Sequence, residues 1–244
     1  MPDFGQSAEG LDPPTVVDHI LLPVADLEEG ARRLYERFGL KSVAGGRHPK
    51  VGTANMIVPL GSQYLELIAI VDPQEAEGGR LGRRLAHALQ EGRTFVAWAL
   101  RTQSLEGVRT KLRAGGWNLP PIIEGSRHRP DGRVLSWRTQ DIETGGEPSA
   151  IPFVIEWRVP DGLHPGEVEA AHRGGATALR RVVVGARDAG KVIINSRGRL
   201  HEYWAYRCTS DNCVRVEDRL EYLQPSAPIV VAPVPQPAGP APTN

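Results

Sequence analysis

The sequence predicts an α+β fold in which one structural unit is used twice, and three observations support it. VVDHILLPVADL, Val16 to Leu27, opens as an apolar strand and passes through a polar turn into an amphipathic helix. TFVAWALRTQSLEGV, Thr94 to Val108, repeats that order. Each copy ends on a strand with a glutamate among hydrophobics, QYLELIAIV (Gln63 to Val71) in the first and IPFVIEW (Ile151 to Trp157) in the second. Self-similarity of this kind marks a duplicated supersecondary unit.

The 244 residues, 40% hydrophobic and 24% charged, suit a globular protein with a sizeable core. Lys plus Arg equals Asp plus Glu at 29 each. That balance argues against nucleic acid or an anionic membrane as the main partner. No apolar run approaches the ~20 residues of a membrane helix. The opening MPDFGQSAEGLDPP lacks the basic and apolar regions of a secretory signal. Cys208 and Cys213, the two cysteines, are too few to staple such a chain and too widely spaced for a redox CxxC motif. A cytoplasmic location is expected.

Residues 1–14 are polar and read as a loose arm. In the first strand, alternation puts Val17, His19 and Leu21 on one face and Asp18, Ile20 and Leu22 on the other. Asp26 caps the helix that follows, Ala31, Leu34, Tyr35 and Phe38 form its apolar stripe, and Gly39 stops it. GGRHPKVGTAN, Gly45 to Asn55, reads as a tight glycine-rich connection. Pro59 pushes the end of the ANMIVPL strand towards a sheet edge or bulge. In QYLELIAIV, Tyr64, Glu66 and Ile68 share a face. A carboxylate there needs a cleft or a partner.

Residues 73–92 form a connector, helical in its second half, with Arg80, Arg83 and Arg84 on a solvated face. The second unit has Ser104 as its cap, the stripe Leu105, Val108 and Leu112, and a stop at Gly115 and Gly116. Aligning the units sets Ala97 opposite His19. The stretch from Ile123 opens as a basic loop carrying Arg127, His128 and Arg129, turns at Pro130-Asp131-Gly132, and alternates as a strand over 133–138. Val154 and Glu156 share one face of the last strand, and Phe153, Ile155 and Trp157 the other. The expected divisions are an arm 1–14, a first module 15–72, a connector 73–92, a second module 93–159, a β-rich extension 160–224 and a Pro- and Ala-rich tail 225–244.

From Val16 to Val159 the chain resembles the vicinal oxygen chelate superfamily, and more closely its glyoxalase-like branch. The resemblance implies two βαβββ modules forming one cupped mixed sheet, with a divalent metal (Fe, Mn, Zn, Ni or Mg) held between first and last strands. Carried over residue by residue, it implies His19, Glu66 and Glu156 as metal ligands. Ala97 stands at the fourth ligand position and cannot bind an ion. A released Glu156 carboxylate and His48 would serve catalysis, with Arg127, Asn55 and Tyr64 as substrate contacts. The implied activity is a metal-dependent lyase, isomerase or dioxygenase acting on a small oxygen-chelating substrate. The alternative is a metal-free drug-binding protein of the same fold, favoured by Ala97 and opposed by an aromatic content of only 6%. The implied partner is a small molecule, and a homodimer stays open.

Overall fold

The computed structural model describes residues 15–142 and 152–179, with the backbone of four short strands further on (β9 Val184–Ala186, β10 Ala205–Arg207, β11 Arg219–Glu221, β12 Val230–Ala232). The arm, the ETGGEPSA loop, both cysteines and most of the extension and tail lie outside the described residues. Strands β9 and β10 pair in parallel, and β11 and β12 antiparallel. Among the described residues no helix is long and apolar enough to cross a membrane.

The first unit comprises β1 (Thr15–Pro23), α1 (Leu27–Phe38), β2 (Val43–His48), β3 (Thr53–Leu60) and β4 (Gln63–Ile70). The second comprises β5 (Ala97–Thr102), α4 (Leu105–Ala114), β6 (Ile123–His128), β7 (Val134–Gln140) and β8 (Phe153–Trp157). Helices α2 (Pro73–Gly78) and α3 (Arg80–Gln90) join them. All eight strands form one mixed sheet in the order β2-β3-β4-β1-β5-β8-β7-β6. Within each unit the first and last strands run parallel (β1 with β4, β5 with β8), and β1 and β5 run antiparallel across the middle. The outer strands β2 and β6 curl towards each other, so the sheet forms a nearly closed cup. The α+β fold of two βαβββ modules is therefore the observed one.

Local signals explain the helix ends. The Asp26 carboxylate accepts the Glu29 N–H at 2.8 Å, and Gly39, at φ 70°, closes α1 through its N–H to the Tyr35 carbonyl. Ser104 caps α4 in the same way through Gly107 N. The outer face of β1 and β4 (Val17, Ile20, Leu22, Leu65, Leu67) packs with Leu34 of α1, while Val154 of β8 packs with Leu105 and Val108 of α4. These clusters leave the opposite sheet face free to line the cup.

Several local expectations change. Gly45 and Gly46 lie within β2, paired with β3 and not in a connection, and other groups occupy their Cβ positions. A Cβ on Gly45 would meet Asn55 Oδ1 at 2.0 Å, and one on Gly46 the His128 carbonyl at 2.3 Å. The Ile123–His128 segment is edge strand β6 and not a loop; pairing with β7 replaces the missing apolar alternation. Tyr35 is exposed, with the Arg173 guanidinium over its ring. The connector is helical in both halves, and Arg80 ion-pairs with Asp141 at 2.6 Å, leaving the solvated-face reading incomplete. Between residues 158 and 179 the described chain contains no strand. It straps back across the first unit through a 3-10 turn (Pro165–Glu167). His172 Nε2 donates to the Pro59 carbonyl at 2.7 Å, and Arg173 N to that of Gly39 at 2.8 Å.

Candidate active site

A β-bulge organises the cup. The β1–β5 register shifts between Val17 and His19. Val17 and Ile20 both pack outward, so Asp18 and His19 both turn inward. Strict alternation had placed Asp18 on the opposite face; the bulge overrides it. Asp18 is fully buried and becomes the hub of the cup floor. His19 Nδ1 lies 2.7 Å from its Oδ2, His164 Nε2 2.9 Å from Oδ1, and Trp157 Nε1 donates at 3.1 Å. Arg101 approaches to 3.6 Å. Burial alone pushes this carboxyl's pKa up; the hydrogen bonds and charges of His164 and His19 outweigh it and hold the group well below the usual carboxylate range.

These contacts set the imidazole tautomers. His164 Nδ1 accepts the Gly166 N–H at 3.2 Å, so its Nε2 carries the proton donated to Asp18. His19 donates from Nδ1 to the carboxylate and turns Nε2 towards Glu66 Oε2 at 3.5 Å. The His19 ring stacks on Tyr64 (centroids 4.5 Å apart, planes at 11°) and meets the edge of Phe153. The ring is thus held in one orientation.

Glu66, Tyr64 and His48 face the same cup. Asn55 Oδ1 accepts the Gly46 N–H at 3.0 Å, so its amide nitrogen donates to Glu66 Oε1 at 2.7 Å and to His48 Nε2 at 3.2 Å. His48 therefore donates from Nδ1 to Thr53 Oγ1 at 2.8 Å. Burial, chiefly, keeps the His48 pKa below its ordinary value against the pull of Glu66. Asn55, expected as a substrate contact, is committed to positioning its neighbours. Burial, with Glu66 and Asp18 nearby, raises the Tyr64 phenol well above its usual pKa, so Tyr64 stays a neutral donor. Trp137 of β7 and Trp157 of β8 meet edge to face at 5.4 Å and form a half-exposed wall.

Glu156 does not join them. The alternation of β8 is as read from the sequence, but the cup takes Phe153 and Trp157 while Glu156 faces α4. There it accepts the Leu105 N–H at 2.7 Å and Arg138 Nη2 at 2.8 Å. An unpaired amide at a helix start and a cross-strand arginine draw the carboxylate outward. Ala97 and Ala99 of β5, opposite Leu21 and His19, bring no donor to the cup. A catalytic ion needs about three protein ligands. His19 Nε2 and Glu66 supply two, and His48 Nε2 is 3.9 Å from Glu66 but holds the Asn55 amide. Among the described residues no three His, Cys, Asp or Glu side chains are placed to hold a metal ion. The expected set of His19, Glu66 and Glu156 does not fit a metal here.

Asp18, His164 and Trp157 escaped the sequence reading. The Asp-His dipeptide was visible, but a bulge has no residue signature here, and His164 reaches Asp18 from 146 positions away.

A model of the glyoxalase-like domain matches residues 17–195. The chain belongs to the glyoxalase-like domain family. Its fold is the vicinal oxygen chelate fold. A hypothetical protein from Staphylococcus aureus superposes with a TM-score of 0.52 at 22% identity, the match covering 61% of this chain and 61% of that one. A Streptomyces coelicolor methylmalonyl-CoA epimerase variant matches at 14% identity and TM-score 0.44, over 60% of this chain and 99% of that one. The Mycobacterium tuberculosis methylmalonyl-CoA epimerase matches at 17% identity and TM-score 0.40, over 63% and 92%. No curated protein sequence matches the chain. These similarities concern the glyoxalase-like fold and leave the chemistry to the cup's own residues.

Proposed function

We propose that this glyoxalase-like protein is an enzyme that moves a proton on a small carbonyl substrate, with His19 as the base. The observation that carries the reading is the buried Asp18–His19 pair at 2.7 Å, which turns Nε2 into the cup beside Glu66. A carboxylate on Nδ1 fixes the tautomer and stabilises the imidazolium formed when Nε2 accepts a proton. The proton leaves the carbon beside the carbonyl, the C–H electron pair moves onto the carbonyl oxygen, and an enolate results. Neutral Tyr64, stacked on His19, is the group suited to meet that oxygen. Return of the proton to carbon completes an isomerisation or exchange, and Glu66, 3.5 Å from Nε2, stabilises the protonated imidazole meanwhile.

The test is deuterium uptake. The protein is incubated in D2O with a panel of small ketones, 2-oxo acids and thioesters, and α-hydrogen loss is followed by NMR. Exchange is expected with at least one member, falling about 10²–10⁴-fold in His19→Gln and unchanged in the control Glu156→Gln. Equal exchange in His19→Gln overturns the assignment. Binding without exchange supports the second reading, a metal-free small-molecule binding protein. The wall of Trp137, Trp157 and Phe153 favours that reading despite the low aromatic content of the whole chain.

A further inference from the structure

Arg127 points to what the cup holds. It lies on the cup face of β6, opposite Leu135, and is only 4% exposed. Its Nη1 is buried without a hydrogen-bond partner among the described residues. A buried guanidinium donor left unpaired is costly, and proteins ordinarily pair such charges. The nearby acids are already engaged. Asp18 holds His19, His164 and Trp157, while Glu66 accepts from Asn55 and faces His19. Glu66 is close enough to act on Arg127 through charge but does not ion-pair with it. Strand β2 passes close to the guanidinium: a Cβ on Gly46 would lie 3.6 Å from Nη1 and 2.3 Å from the His128 carbonyl.

Beside Arg127 stands an angled aromatic wall, the Trp137 and Trp157 planes meeting at 61°. Gly125, two residues along β6, lies against Trp137, where a Cβ would meet Nε1 at 2.3 Å. Trp137 is also in edge contact with His48 at 5.9 Å and with Trp157 at 5.4 Å. An unsaturated body can lie on one ring with its edge to the other, and an oxyanion matches a guanidinium fork that lacks a partner.

We propose that the ligand of this cup is a small planar carboxylate, its carboxyl group on Arg127 and its unsaturated or aromatic body against Trp137 and Trp157. This rests on the cup being the working site proposed above, and it adds the substrate class. The carboxylate replaces the partner Nη1 lacks. Its distance from Glu66 is limited by repulsion, which turns the remainder of the molecule towards the His19 side of the cup.

Cinnamate and its neutral isostere cinnamamide test this by calorimetry on the full chain, with tryptophan emission as a second readout. Cinnamate is expected to bind at least about tenfold more tightly than the amide, a margin set by the charge-assisted pair. Arg127→Met should remove that preference, Arg127→Lys should keep part of it, and Glu66→Gln should tighten cinnamate by relieving repulsion. Equal affinity for acid and amide overturns the proposal, as does an unchanged preference in a folded Arg127→Met or no binding of cinnamate at millimolar concentration. If Arg127→Met does not fold, the acid–amide comparison and Glu66→Gln still decide. His19→Gln separates this idea from the catalytic one: it should slow exchange as above yet leave the preference for cinnamate over cinnamamide in place.

Discussion

At the scale of single residues, the cup is a set of side chains whose protonation is settled by their neighbours. His48 shows how this links to stability. Burial, above all, disfavours its charged form in the folded protein, so its native pKa lies below the 6.5 of an unconstrained histidine. Neutral His48 therefore contributes stability that is complete above about pH 6.5. As pH falls below that value the unfolded chain binds a proton the native chain refuses, and the contribution is lost. His48→Gln should flatten the decline in melting temperature between pH 7 and 5, as followed by circular dichroism; an unchanged slope would remove His48 from the account. Asp18 acts in a separate, lower window. Its carboxyl is held below the usual 3.8, so its contribution persists through pH 4 and is lost only in stronger acid. Glu156 illustrates the opposite outcome for an acid in a strand. One step of alternation gives it to α4 and Arg138 and removes it from the cup.

At the scale of elements, the decisive piece is the strap after β8. It brings His164 beneath Asp18 and lies so close to the β3–β4 turn that only glycine fits at position 166. A Cβ there would meet the Gln63 carbonyl at 2.3 Å and that of Gly61 at 2.6 Å. Gln63 ties the same region together, donating to the Val17 carbonyl and accepting from Leu179 N at 3.0 Å. Gly166→Ala should lift the strap, costing about 2 kcal/mol by overpacking. Limited trypsin digestion should then cut after Arg158 and Arg173 faster than in the unaltered protein. Unaltered digestion would mean that the strap is not clamped by this contact. The helices, by contrast, are locally determined, since Asp26, Ser104 and Gly39 carry their own signals in residue type.

At the scale of the whole molecule, the cup depends on how far its two edge strands curl together. Gly46 of β2 against the His128 carbonyl of β6 is the seam, and Arg127 sits beside it. Gly46→Ala should part the edges. Chemical denaturation should register a loss of roughly 2 kcal/mol or more, and Trp137 emission should shift to the red as water reaches the wall. A variant as stable as the parent, with unmoved emission, would show that the seam tolerates a side chain and that closure lies elsewhere.

The duplicated strand–helix pattern, the caps and the apolar faces were all legible in residue order, because alternation, helical spacing and capping act over a few neighbours. Those features led to the α+β class, the two modules and the inward placement of His19, Glu66 and Tyr64. What residue order left unsaid was which acids and histidines meet. The bulge that turns Asp18 inward answers to pairing with β5, and the return of His164 answers to packing across the first module. The conversion of 123–128 into a strand that buries Arg127 answers to its pairing with β7. Each is settled by contacts between segments distant along the chain, where burial and hydrogen-bond satisfaction outweigh local preference.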